Sequence, residues 1–286
     1  MIPANRFLNL PPHEVSPHAE EEFFSSLRLR NGTYKTTYEK RFAEVDRELQ
    51  KLIKQGDMDV GSVLDIGISS GVCTLELHQA LSSVGRECQI TGIDLAVDAA
   101  LVRVLPGCFA LMDETGYPLR YDILGWSMKP WVVREDYWTG FFVPRKCVNL
   151  LFGYRARKMM ESPSSPATQK VELVTPRLRN LPNVRVEKSD ITKYNNEFSG
   201  RFSLIRAANV LNKGYFGDKE LALVVGNIKR YLVKPKAFFL VIRTHQNGVN
   251  HGSLFSVDNA GCSVLRRFGK GSEIEDIVLT SMRGDS

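Results

Sequence analysis

The chain reads as an α/β protein on a mostly parallel sheet, and two observations point there. From Val60 onward, short β-branched and aliphatic runs alternate with longer runs whose apolar residues recur three and four apart, the texture of strand–helix–strand units. In SVLDIGISSGVCTLEL, residues 62–77, a buried strand breaks at two glycines and resumes as an apolar periodic run. That is the strand-to-helix turn of an open parallel sheet, where backbone comes closest to a ligand. The 286 residues, 43% of them hydrophobic, can fill one large core with sizeable additions.

In chain order, the first dozen residues, rich in Asn and Pro, read as an arm without a core of its own. EEEFFSSLRLR and YEKRFAEVDRELQKLIKQG follow as helices. The second places Phe42, Val45, Leu49, Leu52 and Ile53 on one face and stops at Gly56. Strands are expected at SVLDIG, CQITGIDL, NVRVEKSD, FSLIRAAN and AFFLVIRTH. Helices are expected after Gly71, near Val97 to Val104, and across KELALVVGNIKRYL. SVLRRFGKGSEIEDIVLT closes the chain as two strand-like runs around GKG, a terminal antiparallel hairpin.

About ninety residues separate the second strand from NVRVEKSD, where a simple crossover needs about a third of that. The excess, 117–165, reads as an inserted cap ending in the turn-rich ESPSSPAT. The domain plan is therefore an arm and helices over 1–57, and a main domain over 58–286 that contains the cap.

The net charge of +6 is unevenly spread. Tyr117 to Met160 holds eight Lys or Arg against three acids, together with all three tryptophans. The five cysteines are scattered, with no C-x-x-C pair, which argues against a disulfide framework or a zinc site. No run of about 18 uncharged apolar residues occurs, and MIPANRFLNLPP lacks the order of a secretory signal, so a cytoplasmic protein is expected.

The ligand at the bend is narrowed by what the bend lacks. A dinucleotide fingerprint needs G-x-G-x-x-G, and counting from Gly67 this chain has Ser69 and Val72 at the second and third glycine positions. It has instead an acid at the strand end, Asp65, followed by Gly67, Ser69, Ser70 and Gly71. This resembles motif I, D/E-x-G-x-G-x-G, of the class I S-adenosylmethionine-dependent methyltransferases, with Ser69 in place of the middle glycine. The next strand ends in Asp94, followed by Leu95. An acid there suits the hydroxyls of a ribose and serves NAD enzymes equally.

The resemblance implies a Rossmann-like, seven-stranded sheet, with the terminal hairpin standing for that family's seventh-strand insertion. It implies S-adenosyl-L-methionine as cofactor, with Asp190 and Ile191 of EKSDIT at the adenine and Asn209 of RAANVLN near the methyl donor. It covers residues 58–286 without the insertion. The exocyclic-nitrogen motif D/N-P-P-Y/F is replaced here by Asn209-Val210-Leu211-Asn212, which disfavours base amination chemistry. FSLIRAANVLNKGYF is also distantly similar to the chemotaxis-type glutamate methyltransferases, without carrying over their substrate.

His245, after the fifth strand, is the candidate general base. Arg206, Arg243, Trp126 and Trp138 are candidates for substrate binding, the tryptophans from the aromatic and basic cap. The expected substrate is small or amphiphilic, anionic or lipid-like, with peripheral membrane contact through 117–160 as a further expectation. Single-stranded RNA ranks lower, because the charge is modest and no RNA-binding module is present. A nucleotide- or NAD-binding module without methyl transfer is the alternative from another class.

Overall fold

The computed structural model describes residues 1–35, 38–162 and 166–283. Helices are α1 (Ala4–Phe7), α2 (Pro17–Ser25), α3 (Ala43–Gln55), α4 (Val72–Ser82), α5 (Arg134–Thr139), α6 (Phe142–Met160), α7 (Asp218–Tyr231) and α8 (Glu275–Ser281). Strands are β1 (Ser62–Ile66), β2 (Gln89–Asp94), β3 (Asp98–Leu105), β4 (Cys108–Asp113), β5 (Pro118–Ile123), β6 (Trp126–Met128), β7 (Thr168–Glu172), β8 (Val184–Lys188), β9 (Leu204–Ala208), β10 (Lys236–Thr244), β11 (Asn250–Asp258) and β12 (Gly261–Phe268). They fall into two compact units: Met1–Glu39 with Ala96–Asn180, and Lys40–Leu95 with Leu181–Ser286.

The larger unit carries the predicted Rossmann-like sheet, in the order β12-β11-β10-β9-β1-β2-β8. Five strands, from β10 to β8, run parallel. Two apolar layers cover its faces, one containing α7 and α8 residues such as Leu221, Val225 and Val278, the other α3 and α4 residues such as Val45, Leu49 and Leu77. Burial on both faces explains why β1 and β10 are apolar almost throughout, not at alternate positions. Helix α3 ends at Gly56 in the left-handed conformation (φ 81°), as its sequence predicts.

The antiparallel C-terminal hairpin is present, but its place is corrected. It joins β11 to β12 through Asp258-Asn259-Ala260-Gly261, where Asp258 Oδ1 accepts from the N–H groups of Ala260 and Gly261. The run after GKG is α8, an amphipathic helix that buries Val278. Each hairpin strand pairs with its predecessor in sequence, and β12 takes the edge of the sheet rather than an inserted position.

The smaller unit is an antiparallel sheet, β6-β5-β4-β3-β7. The helix expected near Val97 to Val104 is strand β3, because its apolar run pairs on both sides and hairpins follow. Their turns carry Pro106-Gly107 and Asp113-Glu114-Thr115-Gly116, the latter closed by Asp113 Oδ1 accepting from Thr115 and Tyr117 N–H. Its division from the larger unit begins before the 117–165 limits read from sequence, and it includes the N-terminal segment. The end placed at Ser165 lies outside the described residues. Nor is the first dozen residues a bare arm: Ala4, Phe7 and Leu8 are buried with Phe23, Leu101 and Leu111.

Candidate functional site

In the larger unit the chain leaves β1 toward β2 on one side and returns to β9 on the other, so the topological switch lies between β1 and β9. Ligands of open parallel sheets bind outside the carboxyl ends of the strands at this place. Four non-glycine residues among those described have positive φ, and two sit here: Ser69 (φ 55°), after β1, and Asn209 (φ 61°), after β9. Such backbone persists only where surrounding bonds hold it, and it concentrates at functional sites.

Those bonds are visible. The Gly67 N–H donates to Ile93 O at 2.8 Å, and the Ser69 N–H donates to Asp94 Oδ2 at 2.8 Å, stitching the bend to the end of β2. Asn209 donates its N–H to Ile242 O at 2.8 Å, and its Oδ1 accepts from the Thr244 N–H at 2.7 Å, pinning the end of β9 to β10. Gly67 and Gly71 are both left-handed (φ 75° and 78°). Gly67 has a second constraint: a Cβ built there would lie 1.9 Å from Val210 Cγ2. The close approach that this glycine permits is thus made by the chain's own valine.

Asp65 is bonded within the protein. Its Oδ1 accepts from Arg206 Nε (2.8 Å), and its Oδ2 accepts from an Arg206 terminal nitrogen (2.6 Å) and Thr74 Oγ1 (2.7 Å). Asp65 and Arg206 are each 1% exposed, and the same Arg206 nitrogen donates to Cys73 O at 2.9 Å. Together Asp65 and Arg206 tie β1, β9 and the first turn of α4 into one frame under the bend. Burial disfavours the charged guanidinium, but Asp65 and then Asp46 outweigh it and hold the proton more tightly than usual.

Asp46, which sequence reasoning missed, stands behind this pair, with Oδ1 3.9 Å from Arg206 and, among the described residues, no hydrogen bond to that oxygen. Burial pushes its carboxyl up to about 7, with Arg206 opposing and Glu76 and Asp65 adding. The missed signal was legible: an acid lying in the α3 stripe beside Val45 and Leu49.

The remaining candidates divide. Asp94 is half-buried at the bend, Ser70 is buried there, and Leu95 is exposed. Asp190 Oδ1 accepts from the N–H (3.0 Å) and hydroxyl (2.6 Å) of Thr192, closing a turn after β8, while Oδ2 lies 3.8 Å from Lys193. Ile191 is buried in the core. His245 is exposed in the turn after β10, its ring edge-on to His251 at 4.6 Å. Since neighbouring strands lie about 4.8 Å apart, β10 is about 10 Å from β1. Arg243 pairs with Glu273 at 2.7 Å. Trp126 and Trp138 belong to the smaller unit, and both are exposed.

No family model matches the chain, and no curated protein does. Solved structures do resemble it. The CMeT domain of the citrinin polyketide synthase is 14% identical over 70% of this chain and 34% of its own, with a TM-score of 0.34. The N-methyltransferase NodS from Bradyrhizobium japonicum, solved with S-adenosyl-L-homocysteine, is 14% identical over 73% and 64%, with a TM-score of 0.32. A SAM-dependent methyltransferase from Aquifex aeolicus is 14% identical over 80% and 73%, with a TM-score of 0.31. Of the first two solved structures that it matches, the chain spans only 34% and 47% of the length.

Proposed function

We propose that the protein is an S-adenosylmethionine-dependent methyltransferase whose cofactor site is the β1/β9 switch point. The observation that carries this reading is the left-handed bend at Ser69, bonded to a half-buried carboxylate, Asp94, at the end of the adjacent strand. The donor set suits the group. A carboxylate offers about four lone-pair positions, so Asp94 can hold Ser69 and still accept ribose hydroxyls. Asp190 commits one oxygen to Thr192, and the other, 3.8 Å from Lys193, is the acceptor assigned to an adenine amino group. Asp65 and Arg206 frame the bend and are not assigned a ligand.

When bound, the cofactor supplies a methyl carbon already activated by its sulfonium. The protein's task is then alignment of a nucleophile and, where that nucleophile carries a proton, its removal. The candidate for that second role is His245, exposed in the turn after β10, and unchanged turnover in His245→Ala would eliminate it. A small or amphiphilic anionic substrate is supported by the exposed aromatic and basic residues of the smaller unit. Five free thiols suit a reducing compartment, which supports the cytoplasm.

Calorimetric titration with S-adenosylmethionine, S-adenosylhomocysteine and NAD tests the reading. Binding of the first two is expected, with a loss of about tenfold or more in Asp94→Ala, which removes hydrogen bonds to charge. Binding of NAD alone would replace methyl transfer with a dinucleotide function, and binding of none would end the reading.

A further inference from the structure

In the smaller unit, α6 has two apolar faces, and only one is covered. Val148, Phe152, Ala156 and Met159 pack on Val102, Val104, Met112 and Tyr121 of the sheet. Gly153 lets the helix approach so closely that a Cβ there would lie 2.9 Å from the Tyr121 hydroxyl, which in turn donates to Asn149 Oδ1 at 2.8 Å. These contacts fix the rotation of the helix. They leave Val143, Cys147, Leu150, Leu151 and Tyr154 on the opposite side, within about 100° of arc at 3.6 residues per turn.

That side is open: Leu150 is 69% exposed and Leu151 is 65% exposed. The stripe is about 16 Å long at 1.5 Å per residue. Near the N-terminal end of the helix, Phe141, Tyr137 and the 84%-exposed Trp138 add further exposed aromatic surface. A contiguous exposed apolar stripe rimmed by polar residues marks an interaction surface, so this face calls for an occupant.

Charge decides which. From Phe142 to Met160 the helix contains no Asp or Glu. Lys146 and Arg157 border one side of the stripe, and Lys158 and Arg155 the other. Among the described residues none of these four has an acidic partner within ion-pair distance, whereas Arg145, on the inner side, is taken by Asp136 at 2.7 Å. A second copy docking through the same face would set cations against cations. An apolar stripe with aromatics at one end and unpaired Lys and Arg along both borders fits an anionic bilayer, with the side chains in the headgroup region and the cations at lipid phosphates.

We propose that the outer face of α6 docks the protein on anionic membrane surfaces. The full chain is to be sedimented with phosphatidylcholine vesicles and with vesicles that also contain phosphatidylserine, at low and high salt. The expected result is binding to the anionic vesicles alone, weakened by salt. A loss of about tenfold or more is expected for Leu150→Asp with Leu151→Asp, and again for Lys146→Glu with Lys158→Glu, since each basic residue near the surface contributes measurably. All four side chains are exposed, and an unchanged unfolding midpoint would confirm that the variants fold. Absence of binding to anionic vesicles, or binding indifferent to both pairs, would overturn the proposal. So would a dimer dissolved by the leucine pair without vesicle binding, which would assign the face to a second copy.

Discussion

Each unit buries an arginine against carboxylate, yet the two arrangements differ in balance. In the smaller unit Arg120 meets one acid: Nε donates to Asp122 Oδ1 at 2.9 Å, and the guanidinium also reaches Ile2 O and the Ser127 hydroxyl. Asp122 accepts in addition from Ser127 and, at 2.6 Å, from the Ala4 N–H at the start of α1. Charge is matched one to one, and every oxygen is engaged. In the larger unit Arg206 faces two acids, of which Asp65 is saturated and Asp46 is not. A balanced buried pair holds an element in place with its charges matched. A surplus buried carboxylate gives the frame beneath the candidate site a titratable weak point.

The most severe test is removal of each arginine. Arg206→Met strands two carboxylates and is expected to cost about 3–5 kcal/mol in urea unfolding. Arg120→Met strands one and is expected to cost less, with the N-terminal segment losing proteolytic protection first. Equal losses would mean that the second acid beside Arg206 adds nothing.

Next in size is Gly67→Ala, expected to cost about 2 kcal/mol or more from left-handed strain and overlap with Val210. Adding Val210→Ala is expected to recover the overlap part and not the backbone part, which thermal unfolding of the two variants separates.

The smallest effect concerns pH. Asp46 titrates near 7 in the folded protein, above its ordinary 3.8. The folded state therefore keeps a proton that the unfolded chain releases between pH about 4 and about 7, and stability falls as pH rises through that window. Asp46→Asn is expected to flatten this slope and to stabilise the protein above pH 7 by about 1 kcal/mol or more. A slope unchanged by the substitution would mean that another group carries it.

Much of this was legible in the residues. The five parallel strands, α3 with its Gly56 stop, α4 and α7 all follow from local apolar period and turn chemistry, which neighbouring residues alone set. The bend at Gly67–Gly71 and the acid at Asp94 were legible for the same reason. The smaller unit was read only as a helix at EEEFFSSLRLR and a cap over 117–165, and its sheet was missed, although Pro106-Gly107 and Glu114-Thr115-Gly116 marked the hairpins. Short apolar runs such as DAALVRVL suit helix and strand alike until a partner strand is known. EIEDIVLT is the converse case, a β-rich run that becomes α8 because its apolar side meets the core.

By itself the sequence determined the parallel α/β class, the order of its strands along the chain, and the place where backbone turns sharply at a strand end. Tertiary structure alone decided that Asp65 and Arg206 face each other, that Val210 fills the space left open by Gly67, and that β12 takes the sheet edge. The reason is range. Helix period and turn type depend on residues a few positions apart, whereas which carboxylate is spent on an arginine depends on strands 141 residues apart brought side by side.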